Sequence, residues 1–253
     1  MTTESKAKIQ IGGIPITALG SRAILAAGPF SLSSGLQAFS FVNAATVATA
    51  QRDQNYSNLL RESGTNLPDG RPLVFILRLC GVPEAEQARG PTVFAGALKS
   101  WNSTEHRHFL LGATPKTLEA IVAKLARENK KTNVVGLFSP PLRELEDTNI
   151  EDMVTHINAS GANIIWLGLG SPKQDYVARE ISSRTHLPVF AVGAAFDFYA
   201  GVKPEAPAFL QSMGLEWLFR LSTEPKRLWK RYLMGNSIFL LAVLRRLRDD
   251  RLP

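Results

Sequence analysis

Asp69 is the side chain best suited by its setting to move a proton. It stands in Pro68-Asp69-Gly70 at the end of a polar stretch from Arg61, where proline and glycine shape a turn. The turn alone accounts for the three residues, but a carboxylate at such a loop tip also suits it to accept the proton of an attacking hydroxyl. A second segment, Gly168-Leu169-Gly170-Ser171-Pro172-Lys173-Gln174, joins an expected strand to an expected helix, whose first N–H groups would face a ligand. Gln174 offers a sugar or base both a donor and an acceptor, and equally fits a surface position in a first helical turn. The third glycine of a dinucleotide fingerprint would fall at Lys173, and no phosphate-loop G-K-[ST] is present, which argues against nicotinamide and ordinary nucleotide-triphosphate chemistry. Asp197, flanked by Phe196 and Phe198 in the Gly193 to Gly201 segment, either bonds to backbone or lines a site. Ser139 and Pro140, in the Gly136 to Pro141 loop, read as a pocket wall.

Metal chemistry finds little support. His106 and His108 can share one side of a strand but have no neighbouring carboxylate or cysteine, and His156 and His186 have no partner in sequence. Cys80 is the single cysteine, so no intrachain disulfide can form, and its apolar neighbours suggest an inert buried thiol. No Asp-x-Asp pair is available to hold a divalent ion on a diphosphate. No metal and no cofactor are expected, and a departing diphosphate would need arginines.

These residues require a scaffold that gathers them. His108 to Gly112, Asn133 to Gly136, Asn163 to Gly168 and Pro188 to Gly193 are short apolar runs that end in glycine, the pattern of strand ends. Helical stretches separate them: Pro115 to Asn129 behind a Thr114 cap, Ile150 to Ala159, and Lys173 to Ser183 opened by Ser171-Pro172. Ala44 to Leu60 also has helical composition. Ile9 to Ile16 reads as a small strand or hairpin, Ala23 to Ser40 reads poorly, and Arg61 to Pro68 reads as a loop. The alternation predicts an α/β fold: a doubly wound, largely parallel sheet with ligands at the strand carboxyl ends.

The chain has 253 residues and a net charge of +7. Residues 203–253 hold ten basic and five acidic residues, a net of +5, which leaves +2 for residues 1–202. We therefore expect a catalytic core over 1–202 and a helical, basic C-terminal appendage over 203–253. Glu224-Pro225 marks a break, with a helix from Lys226 onward. On that helix Leu228, Trp229, Tyr232, Leu233, Phe239, Leu240, Val243, Leu244 and Leu247 share one arc, and Arg227, Lys230, Arg231, Arg245 and Arg248 lie opposite. The arc can pack on the core or lie on an anionic membrane surface. No run reaches the roughly 18 apolar residues of a spanning helix, and the polar start lacks the features of a signal peptide. A cytoplasmic, membrane-peripheral location is expected.

Pro68-Asp69-Gly70, the Gly136 to Pro141 loop, Gly168 to Gln174, Gly193 to Gly201, and Gly214-Leu215-Glu216-Trp217-Leu218-Phe219-Arg220-Leu221 with Glu224-Pro225-Lys226-Arg227 together resemble the WecG/TagA/CpsF family of bacterial glycosyltransferases over roughly Val42 to Tyr232. The resemblance implies inverting, metal-independent transfer from a UDP-sugar donor to a polyprenyl-diphosphate-linked saccharide at the inner face of the plasma membrane. The donor sugar stays open among N-acetylmannosamine, its uronic acid, glucose and glucuronic acid. Asp69 matches the family's proposed general base and Gln174 its pocket glutamine, while Arg220, Arg227 and Arg231 match appendage cations near the diphosphate. With them, Asn43, Gly70, Ser139, Pro140, Gly168, Gly170, Lys173 and Asp197 form the expected substrate-binding set. Nucleic acid is not an expected partner, and a homo-oligomer stays open. Two positions depart from the pattern: Phe41 stands where the family has threonine, and Gln87-Ala88-Arg89-Gly90-Pro91-Thr92 replaces Arg-x-x-Gly-x-Asp. Arg89 is placed to substitute for the missing arginine. The competing reading is a noncatalytic α/β module binding nucleotide or nucleic acid, or a peripheral membrane scaffold.

Overall fold

The computed structural model describes residues 8–33, 35–62, 64–128, 131–141, 147–226, 229, 235 and 237–244. A short antiparallel hairpin, β1 (Lys8–Ile11) and β2 (Ile14–Thr17), precedes helix α1 (Ser21–Ala27). The remaining strands are β3 (Ala38–Val42), β4 (Thr65–Pro68), β5 (Arg107–Gly112), β6 (Asn133–Phe138), β7 (Ile164–Gly168) and β8 (Val189–Ala191). They form one six-stranded sheet in the order β4-β3-β8-β7-β5-β6, with every neighbouring pair parallel. The helices between and after them are α2 (Ala44–Ala50), α3 (Gln54–Glu62), α4 (Arg71–Leu79), α5 (Gly90–Ser100), α6 (Pro115–Arg127), α7 (Asp147–Ser160), α8 (Lys173–Thr185), α9 (Ala195–Ala200), α10 (Ala208–Ser212) and α11 (Glu216–Thr223).

Strand alternation explains the two faces. Phe39, Phe41, Leu110, Ile164, Trp166 and Phe190 point to one side, where α1, α5, α6 and α9 cover them. The intervening Ala38, Phe109, Leu111, Ile165, Leu167, Val189 and Ala191 pack beneath α7 and α8. A sheet buried on both faces needs apolar residues at successive positions, and Ile164-Ile165-Trp166-Leu167 supplies them. The fold is therefore the expected α/β, doubly wound around a parallel sheet.

Several elements differ from the sequence reading. β3 lies at the end of the stretch that read poorly, and β4 occupies the expected loop. Ala44 to Leu60 divides into α2 and α3. α8 starts at Lys173 with Pro172 as its cap residue rather than inside its first turn. Thr114 caps α6 as expected, its hydroxyl accepting from Thr117 N–H. Cys80 is half-buried at the end of α4 rather than buried.

Much of the expected C-terminal helix, including Leu228, Arg227 and Arg231, lies outside the described residues. Residues 237–244 are helical. There Phe239, Ala242 and Val243 are buried with Ile11, Ile14, Leu77 and Val82, whereas Leu240, Leu241 and Leu244 are exposed. The expected arc thus splits: Phe239 and Val243 pack on the body of the protein, Leu240 is exposed at the wall of a cavity, and Leu244 faces outward. Among the described residues no helix is long and apolar enough to cross a membrane.

Candidate functional site

A cavity of about 740 Å³ opens at the carboxyl ends of β3, β4, β7 and β8. Asn43 follows β3, Asp69 follows β4, Gly170 and Ser171 follow β7, and Val192 to Ala195 follow β8, so four neighbouring strands deliver residues to one place. Of the expected set, Asn43, Asp69, Gly70, Gly170, Lys173, Gln174 and Arg220 line it.

Asp69 is held at both ends. Its N–H donates to Val42 O at 2.7 Å, which locks the end of β4 to that of β3, and the Gln87 side chain hydrogen-bonds to its carboxylate. Burial, followed by the nearby charge of Glu216, raises its pKa from 3.8 to about 6, against the opposing pull of Arg89, Arg220 and Gln87. A carboxylate so adjusted is ionised at neutral pH yet far more basic than usual, which suits a general base. Arg220 also lies 5.6 Å from the Phe198 ring centroid, a cation–π distance.

Asn43 caps α2, its Oδ1 accepting from Ala45 N–H and Thr46 N–H at 3.1 and 3.2 Å. Gln174 is buried, and its amide spans two elements: Oε1 accepts from Gly170 N–H at 3.1 Å and Nε2 donates to Ala191 O at 2.8 Å. It is neither a surface residue nor a side chain left wholly to a ligand, because both polar atoms brace the cavity wall. Gly170 has φ +82° with open space where a side chain would stand, so its backbone conformation accounts for the glycine. Behind it, Asp175 Oδ2 accepts from Tyr56 OH at 2.7 Å and Ser171 Oγ at 2.8 Å, which fixes the start of α8.

The remaining expected residues have other surroundings. Ser139 and Pro140 follow β6, an edge strand two places beyond β7 and hence roughly 10 Å from it; Ser139 Oγ donates to Ala113 O at 2.7 Å. Asp197 pairs with Lys203 Nζ at 2.9 Å. Gly168 ends β7 beneath Phe196, where a Cβ would come within 2.8 Å of the ring. Trp166 Nε1 donates to His108 Nδ1, so the His108 proton resides on Nε2, which bonds Trp101 O at 2.7 Å. Burial lowers the His108 pKa to about 4, and this neutral ring is a core residue with both nitrogens engaged. Among the described residues no group of three His, Cys, Asp or Glu could hold a metal ion.

Arg71, Gln87, Glu216 and Trp217 also line the cavity without having been singled out as binding residues. Arg71 directly follows Asp69-Gly70, and Glu216-Trp217 belongs to the segment that supplied Arg220. Their proximity in sequence to chosen residues was the available signal.

A parallel sheet wound on both faces, with an acid and several cations around a crevice at its strand ends, defines an α/β protein equipped to bind an anionic ligand and transfer a proton. The chain belongs to the glycosyl transferase WecG/TagA/CpsF family, whose model it matches over residues 9–252. It is therefore a glycosyltransferase of cell-wall or polysaccharide biosynthesis.

Proposed function

We propose that the enzyme transfers a sugar from a UDP-sugar to a polyprenyl-diphosphate-linked saccharide, with inversion and without a metal. The reading is carried by one observation, that Asp69 and Arg220 share a single cavity with Asp69 poised at a pKa of about 6. The acceptor hydroxyl oxygen attacks the anomeric carbon as its proton passes to Asp69. The bond from that carbon to the diphosphate breaks, and its electron pair leaves on the UDP oxygen. Arg220, with Arg71 and Lys173 on the same cavity, stabilises the charge that develops there. Arg227 and Arg231, outside the described residues, are proposed to join them. Residues 203–253 act as an appendage that completes the site and rests on an anionic membrane surface, so that membrane binding and site assembly are coupled.

The test is UDP release from a panel of UDP-sugars in the presence of a short-chain lipid-diphosphate saccharide. Release that depends on the acceptor and is lost in Asp69→Asn is expected. Silence across the panel would count against the donor class, and near wild-type turnover by Asp69→Asn would remove Asp69 as base.

A further inference from the structure

Arg89 is buried, an expensive location for a charge unless its partners are well placed. Its Nε and Nη2 fork onto the two carboxylate oxygens of Glu216 at 2.9 and 3.2 Å, while Nη1 donates to Glu205 Oε1 at 2.5 Å and to Thr92 Oγ1 at 3.5 Å. The backbone beneath it is fixed too: Arg89 is the cap residue of α5, and its N–H donates to Ser21 Oγ at 2.9 Å. Both acids come from the chain beyond Gly201, and Glu216 opens α11 one turn before Arg220. Glu216, Arg220 and Asp69 line the same cavity.

We propose that Arg89 is a positioning residue: by gripping Glu205 and Glu216 it seats α11 against the sheet and so fixes Glu216 and Arg220 relative to Asp69. The proposal rests on the reading of Asp69 as base. It gives Arg89, two positions after the departed family arginine, a specific task, since its guanidinium holds the helix while Gln87 takes the contact with Asp69.

The charged groups around Asp69 make the idea testable. Glu216 and Arg220 approach from α11, Arg89 and Gln87 from the segment leading into α5, and Arg71 and Lys173 stand on the cavity at the starts of α4 and α8. Glu216 favours the protonated acid, and Arg89 and Arg220 favour the carboxylate.

The experiment uses the full chain with Arg89→Met, Arg89→Lys, Glu205→Gln and Glu216→Gln, each read by hydrogen exchange of residues 208–223 and by the pH dependence of kcat/KM. Arg89→Met should speed exchange in α11 at least about tenfold and move the acidic limb to higher pH. Glu216→Gln should move that limb to lower pH. Arg89→Lys keeps the charge and loses the fork, so exchange rises while the limb stays near that of the wild type. Exchange unchanged in Arg89→Met overturns the proposal, and an inactive Asp69→Asn beside it shows the base reading still standing. Conversely, an active Asp69→Asn ends the base reading while exchange still decides whether the clamp exists. Should Arg89→Met fail to fold, Glu216→Gln breaks the fork from the side of α11, and wild-type protection of α11 in that variant also overturns the proposal.

Discussion

In its proposed role as base, Asp69 couples reactivity to a cost in stability. Its folded pKa of about 6 exceeds the ordinary 3.8, so between those values the folded protein keeps a proton that the unfolded chain has lost. Stability therefore falls as pH rises through that window, and the full cost, on the order of 2–3 kcal/mol, applies above about pH 6. Asp69→Asn removes the ionisation. It should melt several degrees above the wild type at pH 8 and level with it at pH 4, while turnover drops by about 10²–10⁴-fold. Calorimetry at the two pH values and UDP release check both halves. In the wild type kcat/KM should fall about tenfold per unit below pH 6. A limb near pH 4 would show that the acid is not held as the structure holds it.

At the scale of elements, the site depends on the joint between β7 and α8. Gln174 links Gly170 N–H to Ala191 O, and Gln174→Ala leaves the buried Ala191 O without that partner, a loss of about 1–3 kcal/mol. Gln174→Glu keeps the acceptor for Gly170 N–H but sets a carboxylate oxygen against Ala191 O in a buried place, so it should melt no higher than Gln174→Ala at neutral pH. Both variants should raise the donor KM more than they lower kcat, because the residue shapes the wall and leaves the proton to Asp69. The sequence made this joint legible through its glycines and the apolar Ile164 to Leu167 run, and β5 and β8 were visible for the same reason. β4 was not, because Thr65-Asn66-Leu67-Pro68 has the composition of a loop. Its polarity is absorbed in part: Asn66 Nδ2 donates to Pro15 O and Leu60 O while its Oδ1 is buried without a hydrogen-bond partner among the described residues, and Pro68 is tolerated because β4 is an edge strand. Asp69 was thus recognised before the strand that positions it. Ser139 and Pro140 show the opposite limit, since the order of strands, which no local pattern encodes, sets their distance from the cavity.

For the molecule as a whole, the proposed membrane contact falls in a C-terminal region that also packs on the core. Phe239, Ala242 and Val243 are buried against the hairpin and α4, and Phe239 and Leu240 reach the cavity wall. Deleting everything from Glu224 would therefore strip apolar cover from Ile11, Ile14 and Leu77 and open the site, so loss of activity in a truncation would not separate membrane binding from folding. Leu241 and Leu244 separate them. They are 56% and 53% exposed, outside the cavity lining, in a region of net charge +5. On an anionic surface two such side chains would each leave water for the acyl boundary, a gain of about 1.5–3 kcal/mol apiece. The double variant Leu241→Glu, Leu244→Glu should then bind anionic vesicles at least about tenfold more weakly, with its melting temperature nearly unchanged because neither residue is buried. If membrane binding also assembles the site, vesicles should stimulate sugar transfer by the wild type and leave the double variant at its vesicle-free rate. Equal vesicle binding by the two proteins would remove this outward apolar stripe as the membrane contact.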